Sequence, residues 1–448
     1  MHTKHKRFHY QCLDEIKNVS QELGLNLQFD EDLSILGRQV IIHDKILPNS
    51  LAIQPMEGHD GTRDGRPGEL TFRRYRRFAA GGAGLLWFEA TAVTPAGRAN
   101  PQQLMLSADT LPDFRRLITE TRDTAARSFG EEHRPFTVLQ LTHSGRYSKP
   151  EGIPQPVIAF HDPYLDDETH VTSSQKPISD QELRALEDQF VEAAKLAQEA
   201  GFDAVDIKHC HRYLPSELLG AYTRDGEYGG SFENRTRFLI NVVDKIKASL
   251  GDGIIVTTRI NAYDGTPYPY SWGAVTKDGS REMCLDEIKK LAGILHEKGV
   301  PLINITAGNP YHNPHINRPY DLPIKGGSLP DEHPLVGVAR LIDVARAVQE
   351  SVPEMVVMGS GYSWLRQFLG NVGAANIRNG WVTLVGVGRG AFAYPDFAKD
   401  LLHDGMMDPS KTCITCSRCT QLMREGKEAG CVVFDRKAYG MTSRTQRD

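Results

Sequence analysis

The chain has 448 residues, of which 40% are hydrophobic and 24% are charged, and its formal net charge is −5. This length allows two or three average domains or one large α/β barrel with additions, and it buries a core without help from disulfides. No long basic run favours binding to nucleic acid or an anionic membrane, no apolar run is long enough to span a bilayer, and no apolar segment follows the basic start, so we expect no signal peptide.

From residue 50 onward, short apolar runs alternate with longer helical patterns. The eight runs that predict strands are Leu51–Met56, Gly84–Glu89, Phe136–Leu141, Asp203–Ile207, Ile254–Arg259, Leu302–Ile305, Met355–Met358 and Thr383–Gly386. The clearest helical patterns between them are Asp180–Ala200, Phe232–Leu250, Leu285–Lys298 and Pro334–Glu350. Eight strands, each followed by a helix, predict an α/β fold of the TIM (β/α)8 barrel type. A doubly wound sheet shows the same alternation but usually has about five or six strands.

Two segments lie outside this repeat. Residues 1–48 predict a helical N-terminal extension, because apolar side chains recur nearly in helical phase at Leu13, Ile16, Val19 and Leu23. The barrel is predicted over residues 49–403, and a C-terminal segment with four cysteines over residues 404–448. Residues 262–282 are rich in Gly, Pro, Tyr and Ser and predict a long loop over the active face.

Polar residues follow several predicted strands at their C-terminal ends, where barrels of this kind place their active sites. The third strand is followed by Gln140-Leu-Thr-His-Ser-Gly-Arg146, the fourth by Lys208, His211 and Tyr213, and the fifth ends at Arg259. Glycines follow the last two strands in Gly359-Ser-Gly361 and Gly386-Val-Gly388-Arg389. In this fold, backbone N–H groups converge there on a phosphate.

The run from Gln140 to Arg146 resembles the hallmark of the old yellow enzyme family. Further short matches in the same order are Pro55-Met56, Gly82-Ala-Gly84, Glu89-Ala-Thr91, Asn234-Arg235, Arg259 and Val387-Gly-Arg389 near Pro395-Asp396. The resemblance runs from about residue 36 to residue 403. It implies an FMN-dependent oxidoreductase that acts on a small-molecule substrate and self-associates into a homo-oligomer.

The resemblance also implies which residues bind FMN. Backbone groups near Pro55, Met56 and Ala90 would contact the isoalloxazine, and Gln140 its pyrimidine ring. Arg259 would lie near the flavin N1–O2 edge and stabilise the charge of the reduced ring. The phosphate would be held by Gly359, Gly361, Gly388 and Arg389. Glu57 departs from the family pattern, since many relatives have Thr or Cys there, near flavin C4 and N5. Each residue taken alone is also compatible with a surface salt bridge or a turn glycine.

Lys208, His211 and Tyr213 align with the family's substrate-binding pair and proton donor. The first of these positions is usually His, whereas Lys208 is a point charge that favours an anionic or strongly polarised oxygen. The predicted reaction is hydride transfer to an activated C=C bond, with Lys208 and His211 on the oxygen and Tyr213 supplying a proton. The alternative for Lys208 is a pairing with a nearby acid away from the substrate.

Two loops predict the substrate pocket. Gly308–Tyr320 follows the sixth strand, and three tyrosines follow the fifth, at positions Tyr263, Tyr268 and Tyr270. Together they predict an aromatic pocket in which Arg318 suits an acidic substrate. The alternative is a polar rim loop without contact to the substrate.

Four of the seven cysteines lie close together, at Cys413, Cys416, Cys419 and Cys431. This crowding predicts a metal site in a reducing compartment, and therefore a cytoplasmic protein. Zinc and a [4Fe–4S] cluster both use four cysteines, and three close ligands plus a distant one favour the cluster. The arrangement resembles that after the barrel of 2,4-dienoyl-CoA reductase and trimethylamine dehydrogenase, although the former usually has three residues between the second and third Cys where this chain has two.

The source and direction of electrons are left open by the sequence. No Gly-x-Gly-x-x-Gly follows a strand, so NAD(P)H would reduce FMN at the barrel mouth, or an electron-transfer partner protein would dock near the cluster. A dehydrogenase or demethylase reaction, with electrons leaving through the cluster, uses the same residues. The alternative from another functional class is a barrel that binds zinc and no flavin, which would be a hydrolase or a scaffold.

Overall fold

The computed structural model describes residues 4–278 and 280–440, so residues 1–3 and 441–448 of the predicted terminal segments lie outside it. Eight parallel strands close into a barrel, and the eighth strand pairs with the first through Val385 and Leu51. The strands are Leu51–Ile53, Leu85–Ala92, Phe136–Thr142, Ala204–Ile207, Ile255–Asn261, Leu302–Thr306, Val356–Gly359 and Leu384–Val387. The predicted TIM barrel is confirmed, and each predicted strand is present.

The barrel strands are buried on both faces, which explains their nearly continuous apolar sequences. The first strand is shorter than predicted, because Pro55 has no N–H with which to continue the ladder. The backbone N–H of Gln54 still donates to the carbonyl oxygen of Val387 at 3.0 Å. Gln54 to Met56 therefore leave the sheet at the C-terminal end of the barrel.

A helix follows each strand and covers the outside of the barrel. These helices are Glu69–Ala79, Leu111–Phe129, Asp180–Ala200, Phe232–Leu250, Asp286–Glu297, Pro334–Ser351, Leu369–Arg378 and Phe397–His403. The four helical patterns of the sequence are confirmed, with ends shifted by at most one residue. Further helices are Leu13–Glu22, Leu214–Leu219, Pro314–Asn317, Arg389–Ala393, Arg418–Arg424 and Arg436–Tyr439.

Helix Asp180–Ala200 shows how local sequence sets these limits. The Ser179 hydroxyl group accepts a hydrogen bond from the N–H of Glu182, whose carboxylate in turn accepts from the N–H of Ser179, and this pair forms a capping box. The helix ends at Gly201, whose left-handed backbone (φ 101°) suits glycine. Its apolar face packs on the barrel through Leu183, Leu186 and Phe190.

Two hairpins lie where the sequence predicted other structure. Residues 262–282, predicted as a loop, include strands Ala274–Lys277 and Ser280–Met283. The N-terminal extension contains the predicted helix Leu13–Glu22, and also a hairpin of Val40–Ile42 with Lys45–Leu47. The hairpin packs its buried side chains against the N-terminal ends of the barrel strands. Both hairpins are short, so their alternation spans too few residues to register as a pattern. Within the described ranges, no helix is both long and apolar enough to cross a membrane.

Candidate active site

A cavity of about 160 Å³ lies at the C-terminal ends of the barrel strands. Most of the predicted site residues line it, namely Pro55, Met56, Glu57, Gln140, Lys208, His211, Tyr213, Arg259, Gly361, Gly388 and Arg389. The fold therefore brings together residues from the ends of six strands. Residues that were not predicted to bind the flavin also line the cavity, among them Tyr311, Asn317, Ser363, Thr420, Met423 and Arg424.

The orientation of Gln140 is set by a buried carboxylate. Its Nε2 donates to Asp206 at 2.6 Å, and the indole N–H of Trp87 donates to the same oxygen at 2.9 Å. The other oxygen of Asp206 accepts from the backbone N–H of Arg259 at 2.6 Å. Since the Gln140 amide nitrogen is committed to Asp206, its Oε1 is the atom available to accept a hydrogen bond from a ligand in the cavity. A flavin pyrimidine ring has an N–H for that purpose.

Two of the arginines that line the cavity have buried nitrogens without a partner. Arg259 Nε and Arg389 Nη1 make no hydrogen bond, although both are shielded from solvent. A buried guanidinium N–H without an acceptor costs free energy, so such groups are expected to meet a ligand. Gly361, with φ 97°, and Gly388 lie beside Arg389, and a Cβ on Gly388 would approach the sulfur atom of Met56 to 3.3 Å. This end of the cavity has the donors that a phosphate needs, and the residues present fit FMN.

The segment from Lys208 to Tyr213 is held in an unusual backbone conformation. His211 and Arg212 both have positive φ, 67° and 59°, which is strained for residues other than glycine. The fully buried Arg212 guanidinium stabilises the turn by donating to Asp162 at 2.5 Å and to Asp264 at 3.1 Å. Such strain concentrates at functional sites, and here it directs both His211 and Tyr213 at the cavity.

The proton position on His211 follows from Asn317. The amide nitrogen of Asn317 lies 3.0 Å from the carbonyl oxygen of Ala307 and 3.2 Å from His211 Nε2. Because the first contact requires a donor, Asn317 also donates to Nε2, and the imidazole proton lies on Nδ1. Burial, with the positive charges of Arg259 and Lys208, keeps the pKa of His211 well below its ordinary value. His211 is therefore a neutral N–H donor at neutral pH.

Lys208 and Glu57 form a buried pair at the cavity wall. The distance between Lys208 Nζ and Glu57 Oε1 is 3.6 Å, and His59 Nε2 lies 3.6 Å from the other carboxylate oxygen. Burial alone would raise the pKa of Glu57, but His59 and Lys208 bring it below its ordinary value. Glu57 is thus an anion that pairs with the predicted substrate-binding lysine. Lys208 both meets an acid and lines the cavity, and its contact with a substrate stays a prediction.

Tyr213 belongs to a group of three tyrosines. Its hydroxyl group lies 3.0 Å from that of Tyr311, and the Tyr311 ring stacks on Tyr147 at 4.0 Å between centroids. Burial and the neighbouring Glu57 raise the pKa of Tyr213 well above its ordinary value. The ammonium group of Lys208 lies 3.7 Å from the centre of the Tyr213 ring. Tyr213 is therefore a protonated phenol whose position is fixed on three sides.

Some residues that were predicted to belong to the site do not line the cavity. Ala90 and Gly359 do not line it, because their carbonyl oxygens instead accept from Gln103 and Gln54 inside the barrel. Tyr263, Tyr268 and Tyr270 do not line the cavity, whereas the loop after the sixth strand contributes Tyr311 to its lining. The predicted Arg318 lines the cavity near Arg389.

The four clustered cysteines line one small cavity beside the active site. Arg389 lines both cavities, and helix Arg418–Arg424 carries Cys419 toward one and Met423 toward the other. Across the part of the chain that the structure describes, no three His, Cys, Asp or Glu side chains are arranged so that they could hold a metal ion. Metal binding by the cysteines stays a prediction.

The sequence model of the NADH:flavin oxidoreductase / NADH oxidase family matches residues 40–297. The chain belongs to this family. It is a flavin-dependent oxidoreductase, and the orphaned arginines of the cavity agree with that assignment. The other class considered, a non-redox barrel, is thereby wrong.

Curated relatives extend this agreement beyond the matched region. An NADH:flavin oxidoreductase of Gibberella zeae is 26% identical over 339 residues, which is 72% of this chain and 75% of that protein. An NADPH dehydrogenase of Bacillus subtilis is 30% identical over 281 residues, 61% of this chain and 73% of that protein. Among solved structures, a 2-naphthoyl-CoA reductase complex superposes with a TM-score of 0.70 at 18% identity, over 90% of this chain. The chain spans only 57% of that protein.

Proposed function

We propose that the protein reduces a carbon–carbon double bond conjugated to a polar oxygen, with FMN as its cofactor and NAD(P)H as the electron donor. The observation that carries this proposal is that Lys208, His211 and Tyr213 line the same cavity as the residues that fit FMN. Three proton or hydrogen-bond donors thus surround the place where a substrate meets the flavin. The family and the names of the curated relatives, which include NADPH dehydrogenases, support the choice of donor.

When bound, FMN supplies the hydride that the double bond accepts. The chain's own residues prepare the substrate for it. Lys208 Nζ and His211 Nδ1 donate hydrogen bonds to the substrate oxygen and draw electron density away from the distant carbon of the double bond. Glu57 balances the charge of Lys208, so the ammonium group stays protonated despite burial, which by itself lowers the pKa of Lys208.

Tyr213 donates the proton that completes the reduction. Its raised pKa keeps the hydroxyl group protonated at neutral pH, as a general acid requires. Once the proton has moved to the substrate carbon, the Tyr311 hydroxyl group at 3.0 Å donates a hydrogen bond to the phenolate. The nearby Lys208 ammonium group stabilises the same negative charge. One hydride and one proton together saturate the double bond.

The test is Tyr213→Phe in the FMN-loaded protein, assayed by stopped flow with a cyclic enone as the oxidant. The variant keeps the ring and loses the proton, so reoxidation of reduced flavin by the enone should slow by about 10²–10⁴-fold while flavin content is unchanged. Tyr222→Phe is the matched control, because Tyr222 bonds Glu287 away from the cavity. An unchanged reoxidation rate in Tyr213→Phe contradicts the proton-donor role.

We further propose that Cys413, Cys416, Cys419 and Cys431 hold a [4Fe–4S] cluster that exchanges electrons with a partner protein. The shared cavity of the four thiols and their spacing support this. Iron and labile sulfide assays on anaerobically purified protein test it. About four iron and four sulfide per chain are expected for such a cluster, and both should fall in Cys419→Ser but not in the control Cys284→Ser. One zinc per chain would overturn the proposal.

The position of Arg389 favours a second direction of catalysis. It lines both the flavin cavity and the cysteine cavity, so the two centres would lie close enough for electrons to pass. In that direction a substrate is oxidised and its electrons leave through the cluster. Flavin that is reduced by NADPH in stopped flow favours the reductase, whereas flavin that reacts only with an oxidisable amine favours the dehydrogenase.

A further inference from the structure

The charged residues of the active-site cavity are strongly unbalanced. Five cationic side chains line it, against the single carboxylate of Glu57; the cations are Lys208, Arg259, Arg318, Arg389 and Arg424. Glu57 is already paired with Lys208 at 3.6 Å. Among the described residues, none of the four arginines makes an ion pair with a carboxylate. The cavity therefore favours a ligand that brings negative charge.

The negative charges of FMN would pair with three of the four arginines. Its phosphate carries nearly two negative charges at neutral pH, and Arg389 lies beside the glycines that fit this group. Arg318 lies near Arg389, which in turn donates to the carbonyl oxygen of Pro319 at 2.6 Å. Arg259 is next to Gln140 at the ring end, where reduced flavin carries its charge. Arg424 alone is left without an anion.

Arg424 lies at the other end of the cavity, beside the proton donor. Its guanidinium group stacks 3.7 Å above the ring of Tyr311, whose hydroxyl group is 3.0 Å from that of Tyr213. One of its nitrogens donates to the carbonyl oxygen of Pro310 at 2.9 Å. These two contacts fix the plane of the guanidinium group and leave its remaining N–H groups for a ligand at the cavity mouth. The neighbouring acid Glu425 is held by Lys427 at 2.7 Å.

We propose that Arg424 binds a carboxylate of the substrate, remote from the double bond, so that the preferred substrates are anionic enones. Arg424 and Tyr147 cover the two faces of the Tyr311 ring, so Tyr311 keeps the guanidinium group in place beside the cavity. The cysteine-bearing segment thus adds an anionic anchor to a cavity that is otherwise formed mainly by the barrel. This inference rests on the proposed reductase function, and it adds the charge and the anchor of the substrate.

The test compares two probes that differ in one negative charge and one methyl group, para-carboxybenzylideneacetone and its methyl ester. Binding to the oxidised holoenzyme is measured by perturbation of the flavin absorbance, and turnover is measured in parallel. The acid should bind more tightly than the ester, and Arg424→Gln should reduce the acid-to-ester affinity ratio roughly tenfold, as expected for a hydrogen bond to a charged group. Lys427→Gln is the matched control, since it removes an exposed positive charge from the same segment without lining the cavity.

The wild-type protein provides a measurement that does not depend on a variant. Higher salt should weaken binding of the acid and leave the ester unaffected, because only the acid makes an ion pair at the cavity mouth. Equal affinities for acid and ester, or an unchanged ratio in Arg424→Gln, would overturn the proposal for Arg424 while enone turnover keeps the reductase function intact. Absence of bound flavin or of any enone turnover would instead defeat the reductase function itself.

Discussion

Glu57 lies between two basic side chains and the hydroxyl group of the proton donor. The carboxylate is 3.6 Å from Lys208 and 3.5 Å from the Tyr213 hydroxyl group, and His59 holds its second oxygen. Burial lowers the pKa of Lys208, and Glu57 opposes this effect. The positive charge on Lys208 therefore depends strongly on this neighbouring carboxylate.

Replacing Glu57 with Gln should make Lys208 lose its proton at lower pH. The amide keeps the shape of the side chain but removes the negative charge that stabilises the ammonium group. The alkaline limb of the kcat/KM profile for enone reduction should move down by about one pH unit or more. Glu57→Asp, which retains the charge, is the control. Superimposable profiles for wild type and Glu57→Gln would show that Lys208 does not depend on this carboxylate.

Some residues of this site could be predicted from the sequence and others could not, because of how far apart they lie along the chain. Lys208, His211 and Tyr213 follow one strand, so a local motif identified them. Tyr311 meets Tyr213 from 98 residues away, and Arg424 comes from beyond the barrel. Such partnerships are made by the fold, and nothing in the local sequence around Arg424 distinguishes it from a solvated arginine.

At the scale of elements, two of the contacts that fasten the cysteine-bearing segment to the barrel involve the buried residues Asp435 and Asp321. Asp435 accepts hydrogen bonds from Arg73 at 2.7 Å and from Arg77, both on helix Glu69–Ala79. At the second contact, the N–H of Asp321 donates to the Thr415 hydroxyl group at 3.2 Å, between Cys413 and Cys416. The Asp321 carboxylate also accepts from the N–H of Phe8 at 3.1 Å. The N-terminal extension and the cysteine segment are thus joined through one loop of the barrel.

Asp435→Asn should loosen the segment without unfolding the barrel. Asp435 is buried and its two arginine partners are half-buried, so the loss is about 2 kcal/mol, within the range for hydrogen bonds to charged groups. Amide hydrogen exchange should accelerate roughly 30-fold across residues 404–440, as that free energy implies, and remain slow in the barrel strands. Asp408→Asn, an exposed acid in the same segment, is the control. Equal protection in both variants would contradict the anchoring role.

The ends of helices and strands were predicted best where signals in the local sequence determine them. Helix Asp180–Ala200 has a capping box at one end and a glycine at the other, and its predicted and observed limits coincide. The hairpin Val40–Ile42 with Lys45–Leu47 was not predicted. Half of its side chains are exposed, and the others pack on the end of the barrel, which the local sequence around the hairpin does not indicate. The periodicity of apolar residues thus predicts long helices and strands that pack on the main core. It misses short hairpins whose few buried residues cover the end of the barrel.

At the scale of the whole molecule, three buried histidines surround the ends of the third and fourth strands, His143, His209 and His211. Burial lowers the pKa of His143 and of His209 to about 4. His209 is not part of the proposed mechanism, and its Nδ1 hydrogen-bonds the carbonyl oxygen of Ile207 at 2.8 Å. The folded protein therefore contains a set of imidazoles that stay neutral where an unfolded chain would protonate them.

His209 should consequently contribute a loss of stability to the holoenzyme at acid pH. The pKa of His209 is about 4 in the folded protein, against an ordinary value of 6.5. Between about pH 4 and pH 6.5 the unfolded chain therefore binds more protons than the folded protein. The contribution of His209 to the free energy of unfolding is thus fully retained above about pH 6.5 and declines as pH falls towards about 4, by about 2 kcal/mol at pH 5. His209→Asn keeps a donor for Ile207 and cannot ionise, so denaturant titrations should give a flatter decline between about pH 7 and 5. His403→Asn, at an exposed site, should follow the wild type, and a decline in His209→Asn as steep as in the wild type would show that this imidazole does not set the acid sensitivity.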